Sequence, residues 1–169
     1  MERMLTQLIS RTIEPEMVMS AFSAAFTGYF WLIKARKEKP ALTIVQLRNF
    51  RTSLRSSQNG SGGKRLGLTQ VEPCGILVAN NSIRQNAIIG FDCYLKYRGE
   101  TIKGDWGYVN DDTPPWNIGP ESAISMSLAC FFDVPEDCEV PEDMNFRVEF
   151  KTASGKRFPH LFSIKAPEL

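Results

Sequence analysis

The longest uncharged stretch of the chain lies near its start. Residues 17–33 contain no Asp, Glu, Lys or Arg, and their polar members are only Ser, Thr and Gly. Seventeen residues rising 1.5 Å each reach the lower limit for crossing a hydrocarbon core of about 30 Å. The pattern predicts a transmembrane helix over 17–33, preceded by an N-terminal tail over 1–16.

Two other interpretations of residues 17–33 stay open, a buried helix of a soluble protein and a secretory signal peptide. A surface helix of a soluble protein carries charges every few residues, and this segment carries none. A signal peptide has its basic residues before the apolar run, whereas here they follow it. Both comparisons favour the membrane span.

A basic cluster follows the apolar segment directly. Lys and Arg reach towards lipid phosphates and mark the cytoplasmic side of a membrane span. The cluster predicts a plasma-membrane protein with its N-terminus outside and its C-terminal domain in the cytoplasm. The anionic headgroups of the bilayer are then its first partner. The flanking cations are Lys34, Arg36, Lys37 and Lys39.

One face of the predicted helix carries small side chains. Ser20, Ala24 and Gly28 are spaced four residues apart, and such a stripe allows two helices to approach closely. Small residues are also common in membrane helices that do not pair. The stripe is the candidate face for self-association through the helix.

Residues 34–65 are strongly basic, with nine Lys or Arg and one Glu. We expect a juxtamembrane segment and flexible linker, in which residues 41–50 are able to add a strand to the following domain. Arg48, Arg51 and Arg55 surround Phe50, a combination found in nucleic-acid binders. Because the cluster adjoins the apolar segment, it favours lipid headgroups instead, and we expect no nucleic-acid partner.

From residue 66 onward apolar and polar positions alternate. A period of two predicts strands with one buried face. The apolar positions are odd-numbered from Ala87 to Tyr97 and even-numbered from Ile124 to Phe132. We predict a mainly β protein: an antiparallel immunoglobulin-like β-sandwich over 66–169, preceded by the N-terminal transmembrane helix. The alternating or apolar runs are 75–79, 87–97, 102–108, 124–132, 144–151 and 158–164.

The composition offers little catalytic chemistry. The chain of 169 residues has one His, His160, and four Cys. Zinc-type Cys spacing and P-loop spacing are both missing from the sequence, so we expect no enzyme, no cofactor and no metal site. Cys93 and Cys130 fall on the apolar side of their strands, which predicts buried thiols. They are the first disulfide candidates if the domain is exported.

The segment 110–120 is predicted as a Pro-rich loop. Proline fixes the backbone angle φ, so this loop loses less entropy when it binds a partner. Exposed Trp is also enriched among the residues that dominate binding energies. Trp116 and Ile118 are therefore the candidate partner contacts.

Two segments resemble a family of short membrane-anchored proteins. They are YFWLIKAR at 29–36 and PPWNIGP at 114–120, and the resemblance is to an uncharacterised bacterial family with an immunoglobulin-like β-sandwich. It implies a location at a bacterial-type inner (plasma) membrane and implies no activity.

These observations predict an uncharacterised single-pass membrane protein whose β-sandwich serves as a protein-interaction module for an unidentified protein. One alternative is an exported β-sandwich that binds carbohydrate or cell-envelope material through Trp116, Asp111 and Asp112. A second alternative is a soluble nucleic-acid-binding protein.

Overall fold

The computed structural model describes residues 15–56, 63–70, 75–108, 113–140 and 144–165. The chain divides into two compact units, Met1–Lys39 and Pro40–Leu169. The described part of the first unit is one helix, and the second unit is built from antiparallel strands.

Helix α1 spans Pro15–Lys37. Proline is tolerated at the first helical position because its missing N–H would have no helical acceptor. Glu16 lies in the first turn and three cations lie in the last turn, where they complement the helix dipole. The Thr27 hydroxyl donates a hydrogen bond to the carbonyl of Ser23 at 2.8 Å, so this polar group is satisfied within the helix.

The strands of the second unit form two antiparallel sheets. The strands are β1 Leu42–Gln46, β2 Arg51–Ser56, β3 Lys64–Thr69, β4 Ile76–Asn80, β5 Asn86–Tyr97, β6 Glu100–Tyr108, β7 Trp116–Ile118, β8 Ser122–Met126, β9 Leu128–Val134, β10 Asn145–Thr152 and β11 Arg157–Ser163. One sheet has three strands in the order β1-β4-β8. The other sheet has the order β11-β10-β5-β6-β9-β3-β2, with β7 added beside β5. The prediction of a mainly β, antiparallel sandwich after one N-terminal helix is confirmed.

Strand β6 changes its partner halfway along its length. Its residues up to Gly104 pair with β5, and those from Asp105 onward pair with β9. A Cβ atom added at Gly104 would lie 2.5 Å from the carbonyl oxygen of Phe131 and 2.5 Å from the ring of Phe132. Glycine is therefore needed at this point, because β9 approaches the β6 backbone too closely for any side chain.

The core between the sheets is rich in phenylalanine. Phe50 meets Phe146 edge to face with ring centroids 4.9 Å apart, and Phe146 stacks on Phe162 at 5.6 Å. Offset and edge contacts of this kind add to the stabilisation from burial alone. Both sheets contribute apolar side chains that are fully buried, including Ile76 and Val78 from β4 and Leu66 and Leu68 from β3.

Buried amide side chains connect parts of the sandwich that the strands do not pair. The Gln46 Nε2 donates to the carbonyl of Ser163 at 2.6 Å, and its Oε1 accepts from the N–H of Ser163 at 3.1 Å. Gln46 therefore bonds β1 to β11, the end strands of the two sheets, as a neighbouring strand would. We call this side chain with its two bonds the Gln46 latch. Gln70 and Asn80 are also buried and bonded to backbone groups.

The β unit begins earlier than the predicted boundary at residue 66. Strand β1 falls within 41–50, where a strand was expected, but β2 comes from the segment assigned to a flexible linker. Every residue of β2 is exposed and the strand lies at the edge of its sheet. Because no position of β2 is buried, its sequence lacks the alternation of apolar and polar residues from which a strand is predicted. The boundary at Pro40 corrects the one drawn from composition.

Candidate functional site

Helix α1 has the length and composition of a membrane span. Within the part of the chain that the structure describes, residues 16–37 form the one helix long and apolar enough to cross a bilayer, with a mean hydropathy of 1.2. Its large apolar side chains are exposed, among them Phe22, Phe26 and Trp31. A membrane anchor and a signal sequence both satisfy this test of length and composition.

The predicted basic flank lies at the C-terminal end of α1. Lys34, Arg36 and Lys37 occupy the last turn and Lys39 follows it. The Lys34 ammonium lies 5.5 Å from the centroid of the Trp31 ring, a distance at which a cation is attracted to the aromatic face. An indole and several cations at one helix end fit the boundary between headgroups and hydrocarbon.

The small residues Ser20, Ala24 and Gly28 all lie in the helical part of the chain. A Cβ atom added at Gly28 would meet nothing within 4 Å, so the backbone is open at this position. Self-association through this face stays a prediction.

The two predicted partner contacts lie on a strand rather than in a loop. Strand β7 pairs with β5, with Trp116 opposite Ile88 and Ile118 opposite Asn86. Ile118 has 0% of its surface exposed. This burial corrects the prediction for Ile118, because a side chain inside the core presents no surface to a partner. Trp116 is half-buried and stays a predicted contact.

Trp116 belongs to an aromatic cluster at the edge of the core. Its ring centroid lies 5.3 Å from that of Phe91 and 6.3 Å from that of Trp106. Trp106 in turn meets Phe91 edge to face at 5.1 Å. A Cβ atom at Gly90 would lie 3.2 Å from the Trp106 ring, so glycine allows the indole to lie close to β5.

Trp106 and Trp116, which we call the Trp pair, form a half-buried surface on strands β6 and β7. The two ring planes are tilted by 59° to each other, and the accessible part of an aromatic face takes apolar or planar groups by stacking. Trp106 lies at the margin of the core, where it packs against buried residues. The acidic residues 111 and 112, which the carbohydrate alternative invoked, lie outside the described residues.

We predict that Trp116→Ala lowers the unfolding free energy by about 2 kcal/mol, because half of a large side chain leaves its packing against Phe91 and Trp106. Urea unfolding followed by circular dichroism measures the change. Leu161→Ala is the control, since Leu161 is 65% exposed and its loss should cost under about 0.5 kcal/mol. A loss near zero for Trp116→Ala would mean that the indole does not pack as described.

The cysteines form a buried pair. The Sγ atoms of Cys93 and Cys130 are 3.0 Å apart, and both residues are 0% exposed. Burial, together with the neighbouring Cys93, raises the pKa of the Cys130 thiol well above its ordinary value. The prediction that these two thiols are buried is confirmed.

His160 lies on β11 with its ring centroid 4.5 Å from that of Phe162. Burial lowers the pKa of its imidazole. The absence of an enzyme activity stays a prediction. In the described part of the chain, no group of three His, Cys, Asp or Glu residues is placed to hold a metal ion.

A charged cluster that the sequence analysis missed lies on the outer face of β5, β10 and β11. The Asp92 carboxylate is 2.7 Å from Lys151, 3.2 Å from Arg157 and 3.9 Å from Lys103. The hydrogen bond from Lys151 is the main cause that lowers the pKa of Asp92. Burial raises this pKa, and the positive charges of Lys151, Lys103 and Arg157 lower it further. The only sequence signal for this charged cluster is the alternation of charged and apolar residues along β10, which does not identify the ion-pair partners.

A groove of about 480 Å³ is lined chiefly by residues of β1 and β11. These strands stand at the ends of their sheets, and Val45, His160, Leu161 and Lys165 are among the lining residues. The basic residues Arg51 and Arg55 lie elsewhere, on the exposed edge strand β2. Charged side chains on an edge strand discourage pairing with other chains, which gives these arginines a role without nucleic acid.

No family model matches the sequence, and no curated protein matches it. Among solved structures, the copper-bound PCuAC domain from PmoF2 aligns with 76% of this chain and 99% of its own, at 15% identity and a TM-score of 0.39. The apo PCuAC domain from PmoF1 aligns with 76% of this chain and 100% of its own, at 12% identity and a TM-score of 0.38.

A third structure with similarity is the archaeal flagellum of Methanospirillum hungatei strain JF1. It aligns with 98% of this chain and 90% of its own, at 8% identity and a TM-score of 0.32. These likenesses are too distant to assign a family, a metal or a partner to this chain. The resemblance to an uncharacterised bacterial anchored family therefore stays a prediction.

Proposed function

We propose that this protein is held in a membrane by α1 and that its β-sandwich serves as a protein-interaction module. The observation that carries the proposal is the uncharged run of residues 17–33 within α1, ending in a turn with three cations. A helix whose large apolar side chains are exposed needs an apolar environment, and the hydrocarbon core of a bilayer supplies it along the whole length.

The membrane in this proposal is a bacterial-type plasma membrane, with the N-terminus outside and the sandwich in the cytoplasm. Lys34, Arg36, Lys37 and Lys39 all follow the apolar run, and Lys and Arg are retained on the cytoplasmic side. The same cations contact anionic headgroups, each with about 1 kcal/mol of attraction near the surface.

The Trp pair is the proposed contact surface of the sandwich. Its two indoles are half-buried, Trp116 on β7 paired with β5 and Trp106 on β6 paired with β9, so the backbone at both positions is fixed before binding. Rigid aromatic side chains lose little entropy when a partner stacks on them. A protein that offers an apolar or proline-containing segment fits this surface.

Labelling of an introduced cysteine tests the orientation. Ala153 lies in the exposed turn between β10 and β11, whereas Cys93, Cys130 and Cys138 are buried. In a Cys74→Ser background, we expect a membrane-impermeant maleimide to label Ala153→Cys only after cells are permeabilised. A Thr6→Cys variant in the N-terminal tail is the opposite control, labelled in intact cells. Labelling of Ala153→Cys in intact cells would reverse the proposed orientation.

An exported sandwich that binds carbohydrate is the second candidate, and the two neighbouring indoles of the Trp pair favour it, because sugar rings stack on aromatic faces. Titration with soluble cell-wall oligosaccharides separates the two candidates. Saturable binding that Trp116→Ala weakens at least tenfold would favour carbohydrate. Equal, weak binding by both forms would favour a protein partner.

A further inference from the structure

The buried cysteines come from strands that do not pair with each other. Cys93 on β5 lies opposite Gly104 of β6, and Cys130 on β9 lies opposite Trp106 of the same strand. Two strands separated by a third lie about 9–10 Å apart in a flat sheet. The Sγ atoms are nevertheless 3.0 Å apart, beside the point where β6 exchanges β5 for β9.

We propose that Cys93 and Cys130 are an oxidative modification site, which closes to an intramolecular disulfide by exchange with a small disulfide such as glutathione disulfide. The Sγ atoms lie about 1 Å beyond the length of a disulfide bond. Closing the bond therefore requires only a small movement of two side chains.

The exchange has two balanced steps. The thiol of one cysteine loses its proton, and its thiolate attacks a sulfur of the donor, which forms a mixed disulfide and releases one glutathione thiolate. The thiolate of the other cysteine then attacks the sulfur of the first cysteine, which releases the second glutathione thiolate. Two cysteine thiols are oxidised by two electrons, one donor disulfide is reduced, and the two protons end on the two glutathione thiols.

Burial determines when this exchange takes place. Both residues are 0% exposed, so a donor cannot reach them in the closed sandwich. Burial also raises the pKa of the Cys130 thiol, which leaves little thiolate in the folded protein to react. The mixed disulfide therefore forms before the strands close over the cysteines, and the second exchange completes the bond as folding brings Cys93 and Cys130 together.

The proposal does not depend on which side of the membrane holds the sandwich. The compartment sets whether a disulfide donor is present, whereas the geometry of the pair sets which two cysteines combine. If the proposed orientation is wrong, the disulfide proposal therefore still stands. If the disulfide does not form, the proposed orientation still stands.

The test uses the full chain in detergent micelles, unfolded and reduced, then refolded in a glutathione disulfide and glutathione mixture. After refolding, free thiols are alkylated in denaturant so that buried thiols also react, and the protein is cleaved after Lys and Arg and before Asp. Asp133 and Asp137 lie between Cys130 and Cys138, so these two cysteines fall in different peptides. Mass spectrometry should find the Cys93 peptide joined to the Cys130 peptide.

The cysteines are 37 positions apart in the sequence, and closing a loop of this size should raise the Tm by about 10 °C over the reduced protein. Cys138→Ala is the matched control and should keep both the linked peptide and the shift. Cys93→Ala should lose both. Alkylation of Cys93 and Cys130 after oxidative refolding would overturn the proposal, as would a link from Cys93 to Cys74 or Cys138. The wild-type peptide map decides even if a variant fails to fold.

Discussion

Replacing both Ala24 and Ala25 with Lys should release the protein from membranes that hold the unsubstituted chain against high salt and alkaline carbonate. Both positions lie near the middle of the uncharged run 17–33. A Lys at the centre of a membrane span costs about 2.5–3.5 kcal/mol on insertion scales, so the pair of substitutions should cancel most of the drive for insertion. Membrane pelleting followed by immunoblotting measures the released fraction.

A matched variant separates the added charge from the change in side-chain size. Ala24→Leu with Ala25→Leu enlarges the same positions and should leave the protein fully in the pellet. The membrane anchor would be refuted if the unsubstituted protein left the membrane in high salt alone. Such a result would favour the alternative that α1 is a buried helix of a soluble protein.

Gly104→Ala should lower the unfolding free energy by about 3 kcal/mol, the upper part of the range for overpacked sites. The added Cβ would lie 2.5 Å from the Phe131 carbonyl oxygen, and a backbone atom in a paired strand cannot move aside. Strand β9 would have to withdraw from β6 at the point where β6 changes its pairing partner. Urea unfolding of the full chain in micelles, followed by circular dichroism of the strands, measures the loss.

Gly107→Ala on the same strand is the control. A Cβ atom there would meet only the Phe131 ring at 3.2 Å, and a ring edge is able to tilt by a few tenths of an ångström. Its loss should stay under about 1 kcal/mol. Equal losses at the two glycines would show that the close approach at Gly104 does not limit the fold.

Local patterns were sufficient for much of the architecture. The uncharged run gave the helix, since a span needs only a continuous apolar segment, and α1 extends the predicted 17–33 to Pro15–Lys37. The period of two predicted β5, β6, β10 and β11, since alternation reports directly on a half-buried strand, and the short apolar run 75–79 predicted β4. The buried state of Cys93 and Cys130 followed from the same alternation.

The strand boundaries that depend on distant partners were not predictable in this way. The odd-numbered positions of β5 predicted Ile89 inside, but the register against β10 shifts beside it, with Lys151 opposite Gly90 and Thr152 opposite Ile88. This bulge turns Ile88 into the core and leaves Ile89 49% exposed. A bulge is fixed by the opposing strand, which the local sequence does not specify.

The predicted strand over 124–132 is two strands. It divides at Ser127 into β8, which belongs to the three-stranded sheet, and β9, which belongs to the larger sheet. Met126 and Leu128 are both buried on either side of the division. Alternation continues through the division, so it does not reveal that the chain changes sheets.

The candidate contact site was predicted only in part. Proline and glycine residues around Trp116 indicated a loop. The strand within this segment has three residues, too few to show an alternation of apolar and polar positions. The pairing of β7 with β5 then buries Ile118 and leaves Trp116 at the core margin. Trp116 was identified from its residue type, and the fold places the Trp106 ring 6.3 Å from it.

The Gln46 latch allows the contact between β1 and β11 to open while the paired strands of each sheet stay together. The Ser163 N–H is bonded to a side-chain oxygen, so rotation of one glutamine exposes this amide proton to solvent. The N–H groups within the β10–β11 ladder are released only when whole strands separate. Hydrogen exchange at Ser163 therefore reports a local opening between β1 and β11, at a free energy below that of global unfolding.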